Sequence, residues 1–281
     1  MANLPDGVLT GPGSQPEDQD GTLSYMAMPS VMTVFSAPSL PEPEEAAGRE
    51  AGMGALHDVL QALERAQHDG AAFAIDITQL DAANRWFVDQ VLGEGEVSIV
   101  AGATHQAQES VLAGVWRVRI ADHDGRIACD LIEIGSFPRS IRDMAFAGAR
   151  QSVGIPSSFA ANVFNAPALL PEINEHIARV DTATAPHVIN LSLLPHTVED
   201  LVLLDELVGK GDLTVLSRGY GNCRVTSTRT SNVWWVQYYN SQDTLILNSI
   251  EITRLPEVVC AAAEDLADSA DRLREILEVY A

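Results

Sequence analysis

The sequence has few basic residues and almost no lysine. Its 17 basic residues are sixteen arginines and Lys210, against 39 acidic residues, and the formal net charge over 281 residues is −22. A chain this acidic repels the phosphate backbone, which argues against a nucleic-acid-binding protein. Hydrophobic residues still make up 46% of the chain. That fraction is enough for a packed core and argues against wholesale disorder.

Cysteines are few, and signals for export or membrane insertion are absent. Cys129, Cys223 and Cys260 lie far apart and form neither a CxxC pair nor a disulfide framework. The first residues include no basic region followed by an apolar one. The apolar stretch at 26–35 is ten residues long and interrupted by Pro29, too short to span a bilayer. These absences favour a cytoplasmic protein.

The sequence also lacks the common motifs of catalysis and metal binding. It contains no GxSxG, no Walker loop and no HExxH, and its seven histidines show no recognised metal spacing. We therefore predict no catalytic residues, no metal and no cofactor. One alternative stays open, a thiol-dependent redox protein that uses Cys223. Arg218 and Arg224 lie close in sequence, and positive charges lower the pKa of a thiol.

Much of the negative charge lies at the two ends of the chain. Residues 1–50 hold eight acids against Arg49, and residues 255–281 hold seven acids against two arginines. The N-terminal segment 1–52 is also rich in proline and glycine, so we predict that it is irregular. The acidic ends either keep the protein soluble or attract a basic partner.

Between these ends the hydrophobic pattern predicts alternating helices and short strands. Helices are predicted at 54–68, 81–92, 138–150, 171–181, 197–208 and 263–280. Strands are predicted at 73–78, 96–101, 107–113, 114–121, 126–134, 187–193, 212–217, 223–229, 233–240 and 244–253. This pattern indicates an α+β fold.

The order of elements occurs twice, and residues recur with it. Asp89, Gly93 and Gly95 recur as Asp205, Gly209 and Gly211 at an offset of 116, and the segment 114–119 recurs as 232–237 at an offset of 118. We predict two tandem repeated lobes, at 53–153 and 154–281, packed with pseudo-twofold symmetry. Each has a helix–strand–helix unit followed by an antiparallel meander, and the second also includes the C-terminal helix.

The two copies differ on one face of one strand. Trp116 and Trp234 occupy equivalent positions, which indicates a core role for both. On the opposite face the first copy has Arg117 where the second has Trp235. Tyr239 lies four residues after Trp235 and therefore on the same face. Exposed aromatic side chains favour partner contacts, so we predict that Trp235 and Tyr239 bind a partner. The alternative is that they pack against the other lobe or the N-terminal segment.

The loop before that strand pair is the second candidate for partner binding. It reads Arg218-Gly219-Tyr220-Gly221-Asn222, and two glycines around a tyrosine allow a sharp backbone excursion. It is not a dinucleotide-binding fingerprint, because Arg224 replaces the third glycine and a strand follows. A tight hairpin without a binding role is the alternative.

Several ordered segments resemble one known family, the HupH/HyaF/HoxQ proteins of [NiFe]-hydrogenase operons. They are 187–195 (HVINLSLLP), 216–222 (LSRGYGN), 233–238 (VWWVQY), 255–259 (LPEVV) and 264–269 (EDLADS), with 11–16 (GPGSQP) and 92–97 (LGEGEV) nearer the start. Together the segments extend over nearly the whole chain.

The resemblance implies an accessory chaperone and not an enzyme. Such a protein would bind the iron–sulfur small-subunit precursor of an uptake hydrogenase, with its twin-arginine signal peptide, before assembly and export. It would shield the precursor from oxygen and work with a thioredoxin-like accessory protein of the HupG/HyaE/HoxO type. The family offers no catalytic residues to assign. A scaffold that binds only the thioredoxin-like partner is a further alternative.

Overall fold

A computed structural model describes residues 40–69, 72–218 and 222–280. Its helices are α1 Glu50–Asp69, α2 Ala82–Leu92, α3 Arg139–Arg142, α4 Ala166–Arg179, α5 Val198–Val208 and α6 Ala263–Glu278. Its strands are β1 Phe73–Asp76, β2 Val97–Ala101, β3 His105–Glu109, β4 Val115–Ala121, β5 Ile127–Ile134, β6 His187–Asn190, β7 Lys210–Ser217, β8 Asn222–Thr228, β9 Val233–Tyr239 and β10 Leu245–Ile252. The predicted α+β class is confirmed.

All ten strands form one antiparallel sheet with the order β1-β5-β4-β3-β2-β7-β8-β9-β10-β6. The pairing of β2 with β7 lies at its centre, where Ile99 is opposite Val215. Read outward from this pair, the strands follow as β3-β4-β5-β1 on one side and β8-β9-β10-β6 on the other. The lobe boundaries stay predictions. Contacts do cross the boundary predicted between residues 153 and 154, because Val153 packs in the core formed by α4 and α5.

Several predicted elements differ from the observed ones. The strand predicted at 107–113 is β3, which ends at Glu109, and the helix predicted at 54–68 begins at Glu50, inside the segment predicted to be irregular. The helix predicted at 138–150 is only the single turn α3, and turns follow it. The strand predicted at 187–193 ends at Asn190, whose side-chain oxygen accepts the Ser192 N–H and so initiates a 3-10 turn. Helix α4 starts five residues before the prediction and contains Pro171 in its interior. Its buried side chains, spaced three and four apart, hold it in place despite the proline.

The five longer helices pack on one face of the sheet in two groups. Helices α1, α2 and α6 form a first core with β4 and β5, to which Val115 and Ile132 belong. Helices α4 and α5 form a second core with β9 and β10, to which Val233 and Ile250 belong. The C-terminal helix α6 thus packs on the first half of the chain, where Leu273 is fully buried.

A third core lies on the opposite face, because successive side chains of a strand point to opposite sides. It contains Trp116 and Trp234, both fully buried as predicted, with Phe137 and Phe146 packed on them at centroid distances of 5.7 and 4.9 Å. Each indole N–H donates to a backbone oxygen nineteen residues further on, at 3.0 Å in both halves. Buried indoles need such a partner, so both halves satisfy this polar atom in the same way.

Two recurring glycines have a packing reason. A Cβ atom at Gly95 would lie 2.3 Å from the Ser110 carbonyl oxygen, and one at Gly211 would lie 2.3 Å from the Ser227 hydroxyl. Any side chain at either position would force the facing strands apart. The recurrence at 95 and 211 therefore reflects close packing of each strand against its neighbour.

Candidate functional site

The middle of the sheet carries polar side chains on the face where the helices pack. In the described part of the chain, no residue of β2, β3, β7 or β8 belongs to the two helix-covered cores. Register pairs Gln106 with Arg119, Gln108 with Arg117, and Arg224 with Gln237, so each pair shares this face. We call this surface the central polar strip: Gln106, Gln108, Arg117, Arg119, Arg224, Gln237 and Tyr239.

Tyr239 lies at one end of the central polar strip and is half-buried. Its hydroxyl donates to the Gln237 side-chain oxygen at 3.1 Å, and the Arg224 guanidinium lies 5.6 Å from its ring centroid. Asn222 is opposite Tyr239 in the register and donates to Asp243 at 3.3 Å. Two of the predicted partner-binding residues, Tyr239 and Asn222, are therefore neighbours and share their face with Arg224.

Trp235 is placed differently from the predicted outward position. Its ring is half-buried and packs against the core of α4 and α5, and its indole N–H donates to the Asn248 side-chain oxygen at 2.5 Å. Only part of this aromatic surface is accessible to a partner. Whether Trp235 contacts one stays a prediction.

Arg218 follows the end of β7 and is half-buried, and its backbone N–H donates to the Glu96 carbonyl at 3.1 Å. This end of the hairpin is next to Asn222, so Arg218 belongs to the same end of the sheet. The other three residues predicted to bind a partner, Gly219, Tyr220 and Gly221, lie outside the described residues.

A buried ion cluster contains one residue of the central polar strip, Arg117, and it was not predicted from the sequence. Arg117 donates through Nε and Nη2 to both carboxylate oxygens of Asp130, at 2.7 Å for the Nη2 bond, and through Nη1 to Asp89 at 2.5 Å. Asp130 is only 1% exposed and also lies 3.5 Å from Arg85. Arg117, expected on a charged outer face, is therefore buried by this pairing. Bidentate geometry compensates for the desolvation of both charges.

The second half has a neutral contact where the first has this pair. At the offset of 118, Trp235 corresponds to Arg117 and Asn248 to Asp130, and the Trp235–Asn248 hydrogen bond replaces the ion pair. The cross-strand register was the available signal, since it puts Asp130 and Arg119 directly opposite each other on neighbouring strands. The predicted meander already made these strands neighbours, but their register was not predicted, and a shift of one residue moves a side chain to the other face.

The environment of Cys223 does not favour the alternative of an activated thiol. Cys223 is 4% exposed and faces the tryptophan-containing core, whereas Arg224, the next residue of the strand, points to the other face. Burial raises the pKa of the Cys223 thiol to about 12, and the nearby Glu251 charge adds to the increase. The alternative in which nearby arginines lower this pKa is therefore not supported, because Arg224 lies on the opposite face of the strand from the sulfur.

Within residues 40–69, 72–218 and 222–280, no group of three or more histidine, cysteine or acidic side chains is arranged to hold a metal ion. None of the helices in those ranges is long and apolar enough to cross a bilayer.

A second cysteine, Cys260, behaves like Cys223, because burial raises the pKa of its thiol to about 11.

Comparison with known proteins identifies the family. The family model described as "HupH hydrogenase expression protein, C-terminal conserved region" matches residues 51–147 and 163–280. The chain is 46% identical to the hydrogenase expression/formation protein HoxQ of Cupriavidus necator, over 96% of this chain and 95% of that protein. It is 45% identical to HupH of Rhodobacter capsulatus, over 95% and 94% of the two chains.

Two further matches are a more distant relative and a solved structure. The hydrogenase-1 operon protein HyaF of Escherichia coli is 31% identical over 96% of this chain and 95% of that protein. A solved structure of the hydrogenase expression protein HupH from Thiobacillus denitrificans is 32% identical, covers 40% of this chain and 92% of that one, and has a TM-score of 0.37. The chain belongs to the HupH/HyaF/HoxQ family of hydrogenase expression and formation proteins.

Proposed function

We propose that this protein is a cytoplasmic accessory chaperone in the maturation of an uptake [NiFe]-hydrogenase. It binds the precursor of the iron–sulfur small subunit, including its twin-arginine signal peptide, before assembly and export. The names of its relatives support the hydrogenase connection, since five of them are called hydrogenase expression/formation proteins. The choice of the small subunit rests on the family resemblance.

The observation that carries this proposal is the central polar strip. Arg119, Arg224 and Gln106 offer hydrogen-bond donors, and Tyr239 adds a half-buried aromatic surface beside Arg224. The donors of Arg117 and Gln108 are already bonded within the fold. Tyrosine and arginine are enriched at protein interfaces, where they supply large contact areas and directional donors. Protein placed over a cluster would exclude oxygen and water by burial, with no chemical step by the accessory protein. A catalytic role through Cys223 lacks support, because its thiol stays protonated at neutral pH.

We also propose that the two halves are tandem repeats related by a pseudo-twofold axis between β2 and β7. The outward strand order on the two sides supports this arrangement, as do the matching indole hydrogen bonds of Trp116 and Trp234. An axis of this kind would place both helix groups on the same face of the sheet, with the central polar strip between them.

Co-purification tests the function. Tagged protein from hydrogenase-expressing cells is expected to retain the small-subunit precursor, and the Arg224→Ala/Tyr239→Ala variant is expected to retain several-fold less. Arg254→Ala is the matched control, because this arginine is exposed outside the strip. Circular dichroism of the variants establishes that they fold. Capture of the thioredoxin-like accessory protein without any precursor would reject the chaperone in favour of a scaffold.

A further inference from the structure

Exposed large apolar side chains are concentrated in one region of the second half. The described residues include thirteen such side chains, and eight of them fall between positions 155 and 202. Scattered surface apolar residues are ordinary, but a contiguous group marks a binding surface. Five of the eight gather around the start of α5 and are here called the α5 patch: Phe164, Leu193, Leu194, Val198 and Val202.

Hydrogen bonds bring the two segments of the α5 patch together. The Thr197 hydroxyl donates to the Asn162 carbonyl at 2.7 Å, and the Asn165 side chain donates to the Pro195 carbonyl. Phe164 therefore lies beside the loop that carries Leu193 and Leu194. Val198 and Val202 are one helical turn apart and continue the apolar surface along α5.

A buried carboxylate makes this surface rigid. Asp200 is fully buried, and one of its oxygens accepts the backbone N–H groups of Phe164, Asn165 and Ala166 at 2.9–3.0 Å. Its other oxygen accepts the Thr197 N–H at 3.1 Å, completing the capping box of α5. The backbone that carries the apolar side chains is thus fixed by hydrogen bonds, while the side chains themselves stay exposed to solvent. A preformed surface binds without the entropic cost of ordering a loop.

The exposed charges of α5 beside the patch are negative, and they belong to Glu199 and Glu206. The other acids of residues 155–209 are buried, as Asp200 is, or paired: Glu172 with His187, Glu175 with Arg179, Asp181 with Arg254 and Asp205 with Lys210. Val198, Val202 and Glu206 lie along one stripe of α5, and Glu199 lies beside it. Such a surface attracts a positively charged partner. It repels a second copy of this chain, which carries the same net charge of −22.

We infer that the α5 patch is the docking surface for an apolar segment flanked by basic side chains, carried by the client protein. The apolar part of the segment would cover Phe164, Leu193 and Val202, and its basic flanks would face Glu199 and Glu206. This inference rests on the proposed function, which supplies the client. It adds a second contact surface to the central polar strip.

A peptide probe tests the inference directly on the full chain. The probe is a fluorescein-labelled synthetic peptide with six Leu and Phe residues between two pairs of lysines, and the comparison peptide has glutamates in place of the lysines. Fluorescence anisotropy is expected to show binding of the lysine peptide at least about tenfold tighter than the glutamate peptide, weakening as salt screens the charges. Equal binding of the two peptides would overturn the charge argument.

Variants locate the binding surface. The Phe164→Ser/Leu193→Ser/Val202→Ser variant is expected to weaken binding of the lysine peptide by at least about tenfold, since apolar anchors dominate interface energies. The matched control is Ile127→Ser/Val279→Ser, which removes equally exposed apolar side chains elsewhere and is expected to bind normally. Unchanged binding to the triple variant would reject the α5 patch as the site.

Two further measurements test for other occupants of the α5 patch. Analytical ultracentrifugation is expected to show the same oligomeric state for the unmodified chain and the triple variant. A dimer formed by the unmodified chain and not by the triple variant would assign the patch to a second copy. Thermal unfolding of the triple variant is expected to match that of the unmodified chain within about 2 °C, because its three side chains are exposed. A clearly lower midpoint would mean that the chain itself covers the patch.

Precursor capture separates this inference from the proposed function. If the unmodified protein captures the precursor and the triple variant does not, both stand. If both capture it equally, only the docking surface is rejected. If the unmodified protein captures no precursor although it binds the lysine peptide, the proposed client is wrong.

Discussion

Glu109 is expected to make the stability of this protein fall as the pH rises toward neutrality. It ends β3, and its Oε1 atom accepts the Gly114 N–H at 3.1 Å. Burial raises the pKa of Glu109 to about 7, with smaller contributions from the negative charges of Glu96 and Asp265. Asp265 belongs to the first turn of α6, so the carboxyl lies where α6 meets the β3–β4 connection.

The direction of the effect follows from proton linkage. The folded protein holds the Glu109 proton up to a pKa of about 7, whereas the unfolded chain releases it near the reference pKa of 4.5. Below pH 4.5 both states are protonated and Glu109 has no effect on stability. Between pH 4.5 and 7 the unfolded state binds fewer protons, so stability falls with rising pH, and above 7 the loss is constant. The difference between a pKa of about 7 in the folded protein and 4.5 in the unfolded chain corresponds to a loss of about 3 kcal/mol in the free energy of unfolding.

The test is the Glu109→Gln variant, because a glutamine oxygen can still accept the Gly114 N–H. The variant is expected to exceed the unmodified protein in free energy of unfolding by about 1 kcal/mol at pH 5.5 and about 3 kcal/mol at pH 8.5. Urea unfolding followed by circular dichroism at both pH values measures the two differences. Glu275→Gln makes the same chemical change on the exposed surface of α6 and is the matched control.

The test depends on how the stabilisation by Glu109→Gln changes between pH 5.5 and 8.5, more than on its size at either pH. A stabilisation that is equal at pH 5.5 and 8.5 would mean that Glu109 has the same charge in the folded and unfolded states over this range. A destabilised variant at pH 8.5 would mean that the carboxylate is stabilised by its contacts with the fold. Either result would refute the reasoning.

Three other variants and reactions probe the fold and the site. Asp130→Ala leaves the buried Arg117 without its main partner and is expected to cost about 3–5 kcal/mol in urea unfolding; a cost under about 1 kcal/mol would mean that the pair is not desolvated. Thr197→Ala removes the α5 cap and is expected to cost about 1 kcal/mol, most of which Thr197→Ser should restore. Iodoacetamide is expected to modify Cys223 much more slowly than the half-buried Cys129 in native protein, and at a similar rate in urea. Equal native rates, read by mass spectrometry, would contradict the buried position.

Sequence patterns located most elements because each pattern reflects a local cause. The strand containing Trp116 was predicted within one residue, since alternating side chains reveal its two faces. The start of the helix predicted at 197–208 agrees with the Thr197 cap of α5, because the hydrogen bonds of a capping box span only three residues. The start of helix α4 was predicted at residue 171, five residues after its observed start, because a proline is typical of the first turn of a helix. In the structure the helix continues through Pro171, and its buried side chains hold it in place.

The candidate site was only partly predictable. Residue type suggested Tyr239 and Arg218, but the Arg117–Asp130 pair depends on the register between β4 and β5, which places Asp130 opposite Arg119. At the sheet centre, strand pairing joins residues more than a hundred positions apart, as between Ile99 and Val215. No local pattern contains that information.

The sequence by itself determined the α+β class, the recurring order of elements and the family, because these follow from periodicity, caps and residue identities along the chain. Only the tertiary structure decided that all ten strands form one sheet and that α6 packs on the first half. It also decided that Cys223 faces a core whereas Arg224 lies in the central polar strip. The physical reason is that burial and ion pairing arise from contacts between distant segments, and these set both the thiol pKa and the surface left for a partner.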